Sequence, residues 1–125
     1  MNTDESYKNK LLNDWELIFR QGLLTFWVFV AIRDTELSVG QIIGKVSEMT
    51  NSTYNPSEQT LYRLLRKQYS LELVDYREVA GNSGPNKKLY TLSALGTNLL
   101  ADFTERNIRL FQQSIIFKSN NGGKL

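Results

Sequence analysis

The sequence predicts a mainly α-helical domain that carries one small β-hairpin. Apolar residues recur three and four positions apart through most of the chain, which is the spacing of a helix that buries one face. Two short segments, 72–79 and 87–92, have strand character instead, and the residues between them are mostly Gly, Asn, Ser and Pro. The length of 125 residues suits one domain with a single hydrophobic core.

Composition excludes most catalytic and metal-binding chemistry. Hydrophobic residues make up 41% and charged residues 22% of the chain, as in ordinary folded proteins. The chain has no Cys and no His, which removes disulfides, thiolate nucleophiles, imidazole bases and the usual zinc ligands. Asp102 and Glu105 have no partner base in the sequence pattern, which disfavours a catalytic carboxylate pair. We therefore expect no enzymatic activity, no cofactor and no metal.

Positive charge is concentrated in the later part of the chain. Residues 1–54 contain 5 basic and 7 acidic side chains, residues 55–92 contain 6 and 4, and residues 93–125 contain 4 and 2. The formal net charge is only +2. A polyanion could therefore be bound locally although the whole chain is not a polycation.

The most apolar run, Leu23 to Ile32, has ten residues. A membrane-spanning helix needs about 20. The chain opens M-N-T-D-E-S, without the basic start and cleavage site of a signal peptide. We expect a cytoplasmic protein.

Three helices are predicted in the first half of the chain. The segment 6–20 has an apolar stripe, and Gly22 separates it from the run 23–32, which is apolar nearly all round and so is expected to be buried. Ser38 followed by Gln41 is a capping-box pattern that opens a short helix over 39–50. The stripe of the first helix consists of Leu11, Leu12, Trp15, Ile18 and Phe19.

The fourth helix is predicted over 56–69. Asn55 is expected to be its N-cap, Pro56 its first residue and Glu58 its third. The inward side chains are those of Leu61, Leu64 and Leu65. At 100° per residue the opposite face carries Gln59, Arg63, Arg66 and Lys67, with Thr60 at its margin and Tyr62 between the two faces.

A hairpin and a last helix complete the chain. Gly81 and Gly84 are expected at the hairpin tip, since no phosphate-loop signature follows them. Ser93 is expected to cap a helix that extends to 118 and is too apolar for one domain to cover, so we expect a second chain to cover it. The inner stripe of that helix is predicted to be Leu95, Leu99, Leu100 and Phe103. The tail 119–125 is expected to be disordered.

This order of elements is that of a winged helix-turn-helix with extra N- and C-terminal helices for dimerisation. A helix about 10–12 Å across fits the DNA major groove, where Arg pairs with guanine and Gln with adenine. Lysines on the hairpin, or wing, could contact phosphates and orient the helix. The predicted parts are an N-terminal extension (1–20), the winged-helix domain (21–92), a dimerisation helix (93–118) and the tail (119–125).

Four segments resemble the PadR-like transcriptional regulators. They are L-L-T-F-W-V-F-V-A-I (23–32), P-S-E-Q-T-L-Y-R-L-L-R (56–66), S-G-P-N-K-K-L-Y-T-L-S (83–93) and A-L-G (94–96). The resemblance covers roughly residues 20–110. It implies a dimeric repressor whose winged helix binds a palindromic operator and whose C-terminal helix forms the dimer.

The predicted DNA-binding residues lie on the fourth helix, which is the recognition helix, and on the wing. Gln59, Thr60 and Arg63 are expected to meet bases, and Arg66, Lys67, Lys87 and Lys88 to meet phosphates. Tyr62 is expected to be either a half-buried packing residue or a hydrogen-bond donor to a phosphate. The alternatives are a solvated helix face, and edge-strand lysines that discourage aggregation. The full set is Ser57, Gln59, Thr60, Tyr62, Arg63, Arg66, Lys67, Lys87 and Lys88.

A second set of residues is aromatic. These side chains are either core residues or the lining of a dimer seam that accepts a small planar aromatic effector. They are Trp15, Phe19, Trp27, Phe103 and Phe111.

Two further functions remain open alongside the regulator that binds operator DNA as a homodimer. One is a DNA-binding adaptor of the plasmid-partition or relaxosome type, which would coat repeated sites. The other is a winged-helix accessory factor that binds protein. Steep salt dependence of binding separates the first two from the third, because neutralising phosphates releases counterions.

Overall fold

The computed structural model describes residues 3–114 and consists of helices with one antiparallel hairpin. The predicted fold class is confirmed. The elements are α1 (Thr3–Gly22), α2 (Leu24–Ile32), α3 (Val39–Met49), α4 (Glu58–Ser70), β1 (Val74–Val79), β2 (Lys87–Leu92), α5 (Ala94–Phe103), a π-helical turn (Thr104–Ile108) and α6 (Arg109–Gln113).

Helix α2 is the centre of the core. Its Val28 and Ile32 are completely buried, as expected of a helix that is apolar on nearly every side. The helices α3 and α4 and the hairpin pack around it through the side chains of Ile42, Val46, Leu61, Leu65 and Val74. The capping box of α3 is present: the Ser38 hydroxyl accepts from the Gln41 N–H at 3.4 Å, and the Gln41 side chain accepts from the Ser38 N–H at 2.9 Å.

Helix α1 starts earlier than predicted and leaves its apolar stripe exposed. Trp15 is 73% exposed and Ile18 67% exposed. At Gly22 the chain turns by 47° into α2. Within residues 3–114, no single helix is long and apolar enough to cross a membrane, although the bent pair of α1 and α2 reaches that length and composition.

The turn before α3 pairs with the free edge of β2 at a single residue, Leu37. Leu37 and Tyr90 exchange both backbone hydrogen bonds, at 3.1 and 2.8 Å. β1 pairs with the other edge of β2, with Tyr76 opposite Tyr90. The central strand β2 is therefore held on both edges. β1 begins at Val74 and not at residue 72 as predicted, because Glu72 has a left-handed backbone, with φ 64°, in the turn that ends α4.

Helix α5 begins as predicted, with the Ser93 hydroxyl accepting from the Gly96 N–H at 3.0 Å. The predicted inner stripe is wrong in three of its four positions. Leu100 is buried, but Leu95, Leu99 and Phe103 are exposed. Gly96 lies against the carbonyl oxygen of Leu73 at the start of the hairpin, and Leu100, one turn further along, packs into the core, so the side of α5 that carries these two residues faces inward.

The C-terminal helical run does not continue as one regular helix. It passes through the π-helical turn and ends at Gln113, because Ser114 takes an extended backbone. The rest of the predicted dimerisation helix, 115–118, and the predicted disordered tail, 119–125, lie outside the described residues.

Candidate nucleic-acid interface

Helix α4, the predicted recognition helix, is capped by Ser57 and not by Asn55. The Ser57 hydroxyl accepts from the Thr60 N–H at 3.1 Å and donates to the Thr60 hydroxyl at 2.9 Å. Glu58 is therefore the first helical residue, and the prediction that Pro56 holds that position is wrong. Pro56 and Leu61 are both buried, at the positions of a hydrophobic staple. Proline is thus used to fix the entry of the chain into the helix.

The two sides of α4 are separated as predicted. Leu61 and Leu65 are buried and Leu64 is partly buried. The predicted contact residues on the other side are all accessible: Ser57, Gln59, Tyr62, Arg63, Arg66 and Lys67 are exposed, and Thr60 is partly exposed. The first turn and a half of α4 therefore offers an amide, a hydroxyl and a guanidinium to a partner.

A group of tyrosines joins α4 to the wing. The Tyr76 ring lies 4.9 Å from that of Tyr69 and 5.8 Å from that of Tyr90, centroid to centroid. Burial raises the pKa of the Tyr90 hydroxyl, and the neighbouring Tyr62 and Tyr76 hydroxyls raise it further, while Arg66 opposes this. Tyr62, Arg66 and Tyr69 therefore border the wing, whereas Arg63 lies on the outward side of α4.

The two wing lysines point to opposite faces of the hairpin. Lys88 is opposite Glu78 and shares its face with Tyr76, whereas Lys87 is opposite Val79 on the other face. The Lys88 ammonium nitrogen lies 4.5 Å from the Tyr76 ring centroid. Lys88 is thus on the face of the wing that is turned toward α4.

Free positive charge is concentrated on α4 and the wing. The basic residues of α1, the α2–α3 turn, α3, β1 and α6 form ion pairs with nearby carboxylates. Within residues 3–114, the basic side chains that form no ion pair are those of Arg63, Arg66, Lys67, Lys87, Lys88 and Arg106. Five of these six belong to the predicted DNA-binding set. An anion would meet them without first displacing a protein carboxylate.

The five predicted aromatic residues do not line one cavity within a single chain. A groove of about 370 Å³ lies between the α1–α2 junction and α5, and of the five only Phe103 lines it. Trp27 is half-buried, with its ring 5.2 Å from that of Phe26. Trp15, Phe19 and Phe111 are exposed. The other aromatic residues of the groove are Phe26 and Phe29.

Comparison with known proteins gives matches among solved structures. A PadR-like transcription factor from Bacteroides fragilis matches with a TM-score of 0.65 and 24% identity, over 79% of this chain and 93% of that one. A PadR family regulator from Eggerthella lenta matches with a TM-score of 0.72 and 19% identity, over 86% and 91%. This chain has the PadR-like winged-helix fold.

A third structure with this PadR-like fold is Bacillus subtilis PadR in complex with operator DNA. It matches with a TM-score of 0.59 and 23% identity, over 65% of this chain and 46% of that one. The chain therefore spans less than half of that regulator. No family model matches the sequence, and no curated protein matches it.

Three residues of this PadR-like fold were missed by the sequence analysis. Glu36 and Arg77 form a bidentate ion pair between the α2–α3 turn and β1, and Tyr76 supports Lys88. The pair is 41 residues apart in sequence, so local spacing gives no signal for it. The Tyr76–Lys88 contact follows from the hairpin register, which a loop of seven residues between the strands does not determine.

Proposed function

We propose that this protein is a member of the PadR-like family and a sequence-specific DNA-binding transcription regulator. The observation that carries the proposal is the cluster of unpaired cations on the exposed side of α4 and on the wing. The fold it shares with PadR-family regulators, one of them solved with operator DNA, supports the same function.

In the proposed complex α4 enters the major groove and the wing contacts the flanking backbone. Gln59, Thr60 and Arg63 read bases, because they lie in the N-terminal half of the helix, which usually meets base edges. The remaining predicted residues contact phosphate or position the helix. They are Ser57, Tyr62, Arg66, Lys67, Lys87 and Lys88.

The regulator is proposed to act as a repressor and a homodimer on a palindromic operator. Support for the dimer comes from apolar side chains that one chain leaves exposed on α1 and on the C-terminal helices. They are Leu11, Leu12, Trp15, Ile18, Phe19, Leu95, Leu99, Phe103, Leu110 and Phe111. Sedimentation velocity is expected to give twice the mass of one chain, and a monomer across the concentration range would refute this part.

The same surface is the proposed seam for a small planar aromatic effector. Trp15, Phe19, Trp27, Phe103 and Phe111 would line it in the dimer, next to the groove, whose size falls within the usual range of about 300–1,000 Å³ for ligand sites. Quenching of tryptophan fluorescence by acridine that saturates at one site per seam is the expected result. Linear, unsaturated quenching would contradict the effector site.

No catalytic step and no cofactor form part of the proposal, and the proposed location is the cytoplasm, where the chromosome is accessible. The proposed absence of catalysis and the proposed location both depend on the protein being a DNA-binding regulator.

The test is the salt dependence of binding to duplex DNA, measured by fluorescence anisotropy. The logarithm of the affinity is expected to fall linearly with the logarithm of the salt concentration, with a slope of about −0.9 per phosphate neutralised. The variant Arg66→Ala/Lys67→Ala is expected to bind more weakly, with a slope smaller in magnitude by about two units. A flat salt response of the wild-type protein would instead favour a protein-binding winged helix.

The matched control is Lys8→Ala/Lys10→Ala on α1. It removes the same charge, but both lysines are already paired with carboxylates, at 3.3 and 2.9 Å. Its salt slope is expected to equal that of the wild type. If the two double variants lose the same affinity, net charge and not α4 determines binding, and the proposed interface is wrong.

A further inference from the structure

Within residues 3–114, Glu36 and Arg77 form the one ion pair that joins distant parts of the chain. Arg77 Nε donates to both carboxylate oxygens of Glu36, at 3.1 and 2.9 Å, and Arg77 Nη2 donates to Glu36 Oε1 as well. Such a two-pronged contact fixes direction as well as distance. It connects the turn before α3 to the outer strand of the wing.

The ion pair crosses the central strand of the wing. Leu37, next to Glu36, is hydrogen-bonded to Tyr90 on one edge of β2, and β1 pairs with the other edge, where Arg77 is opposite Leu89. The two charged side chains therefore come from the α2–α3 turn on one side of β2 and from β1 on the other, and they meet across β2. The backbone bridge at Leu37 holds β2 at one point, and the ion pair adds a second attachment, on β1.

The Glu36–Arg77 ion pair contributes more to the orientation of the wing than to the free energy of unfolding. The Arg77 side chain is 61% exposed and the Glu36 side chain 37% exposed. Exposed ion pairs contribute little to stability, because water and salt screen the attraction between the two charges. The base of the hairpin is already held in the core by Val74 and Leu92, so what the second attachment limits is bending of the outer part of the hairpin, beyond Tyr76 and Tyr90.

That bending would displace the wing residues proposed to meet phosphate. Lys88 lies on the opposite face of the same hairpin from Arg77, against Tyr76, and is turned toward α4. A change in the angle of the wing changes the separation between Lys88 and the base-reading side chains of α4. Phosphate contacts position a protein on DNA only when that separation is fixed.

We infer that Glu36 and Arg77 are positioning residues that set the angle of the wing against α4 and thereby strengthen DNA binding without contacting DNA. This inference rests on the proposed function. It gives Arg77 a role different from that of Lys87 and Lys88, although all three are basic residues of one hairpin.

The inference predicts an effect opposite in sign to simple electrostatics. Glu36→Gln removes a negative charge, which by itself favours binding to a polyanion. As a positioning residue, Glu36 is expected to be needed, so that Glu36→Gln weakens binding roughly fivefold. The matched control is Asp75→Asn, two residues before Arg77 on the same strand face, where the carboxylate forms no ion pair within residues 3–114. This control is expected to bind equally well or more tightly.

The exchanged variant Glu36→Arg/Arg77→Glu separates positioning from direct contact. It retains the net charge and can form the pair in reverse. Affinity is expected to return most of the way from that of Arg77→Gln toward the wild type. If Arg77 itself contacted phosphate, the exchanged variant would bind as weakly as Arg77→Gln, and the inference would be overturned.

A measurement without DNA tests the positioning directly. The chain has no Cys, so spin labels can be attached at Gly44→Cys on α3 and Asn86→Cys on the wing. Both positions are exposed, and a side chain added at Gly44 meets no atom within 4 Å. Double electron–electron resonance is expected to give a narrow distance distribution that broadens with Glu36→Gln and not with Asp75→Asn.

An unchanged distribution in Glu36→Gln would overturn the inference whatever the DNA measurements give. Should the wild-type protein bind no DNA at all, the proposed function fails, and with it the DNA-binding part of the inference. The label distances would still decide whether the pair sets the wing angle. Circular dichroism of each variant confirms that it is folded.

Discussion

The ammonium nitrogen of Lys88 lies 4.5 Å from the centroid of the Tyr76 ring, although Glu78 is the residue directly opposite Lys88 in the hairpin. Within residues 3–114 no ion pair joins Lys88 to Glu78. A cation over an aromatic face contributes about 0.5–1 kcal/mol at an exposed site. Because Tyr76 also contacts Tyr69 at the end of α4, the lysine is held on the side of the wing that faces α4.

Removal of Lys88 is expected to weaken binding to all duplexes alike. Lys88→Ala deletes one proposed phosphate contact, so the salt slope should become smaller in magnitude by about one unit with sequence preference unchanged. Anisotropy titrations on several unrelated duplexes measure both quantities. Lys8→Ala on α1 is the control for charge alone. A change in the preferred sequence with Lys88→Ala would refute the phosphate role.

Gly96→Ala is expected to destabilise the fold. A Cβ at Gly96 would overlap the backbone carbonyl oxygen of Leu73, which cannot move without disturbing the start of the hairpin. Overpacking of this kind costs about 1–3 kcal/mol or more. Urea denaturation measures the free energy of unfolding. The control is Gly44→Ala, where the added methyl meets no atom within 4 Å. Because alanine favours a helix more than glycine does, the free energy of unfolding is expected to rise by about 0.5–1 kcal/mol. Equal effects at the two sites would be inconsistent with the close approach.

Glu72→Gly is expected to stabilise the protein. Glu72 has φ 64° at the end of α4, where its N–H bonds to the Tyr69 carbonyl at 2.9 Å and the Leu73 N–H bonds to the Gln68 carbonyl at 3.0 Å. This is the Schellman arrangement, in which glycine is favoured at the left-handed position. A gain of about 0.5–1 kcal/mol in unfolding free energy is expected. Glu72→Gln, which keeps the backbone cost, should show no gain, and an equal gain there would indicate a charge effect instead.

The stabilising effect of the Glu36–Arg77 pair is expected to disappear in acid. The hydrogen bonds from Arg77 hold the pKa of the Glu36 carboxyl below its ordinary value of 4.5. A carboxyl whose pKa is lowered by folding stabilises the protein fully above its unfolded pKa and loses that effect as the pH falls through the folded pKa. The difference in unfolding free energy between the wild type and Glu36→Gln should therefore be constant near neutral pH and shrink below about pH 4.5. A difference in unfolding free energy that is the same at pH 3 and pH 7 would contradict the lowered pKa of Glu36.

Local signals in the sequence predicted much of the fold. The Ser38–Gln41 capping box, the Ser93 cap, the buried α2 and the strand over 87–92 all depend on residues close together in the chain. The predicted start of α4 is wrong because Asn55 and Ser57, only two positions apart, can both cap a helix. The hydrogen bond from the Thr60 N–H to the Ser57 hydroxyl and the burial of Pro56 identify Ser57 as the cap, and burial depends on tertiary packing that local sequence does not show.

Long-range contacts were beyond sequence reasoning. The outer leucines of α5 were predicted to be buried because periodicity identifies an apolar stripe without saying what covers it. The structure directs Gly96 and Leu100 inward instead. The Glu36–Arg77 pair and the tyrosine group depend on how the α2–α3 turn and α4 meet the hairpin. The exposed side of α4 was predictable because amphipathic spacing determines it directly.

The measurement that tests the central claim most directly is selection of bound fragments from a random duplex pool, with the wild type and with Arg63→Ala. The wild type is expected to enrich inverted half-sites centred about 34 Å apart, roughly one helical turn. Arg63→Ala is expected to lose about 1–3 kcal/mol of affinity and to relax the preference at one base pair in each half-site. Enrichment of no sequence by the wild type, or of the same sequence with equal stringency by Arg63→Ala, would contradict base reading by the exposed face of α4.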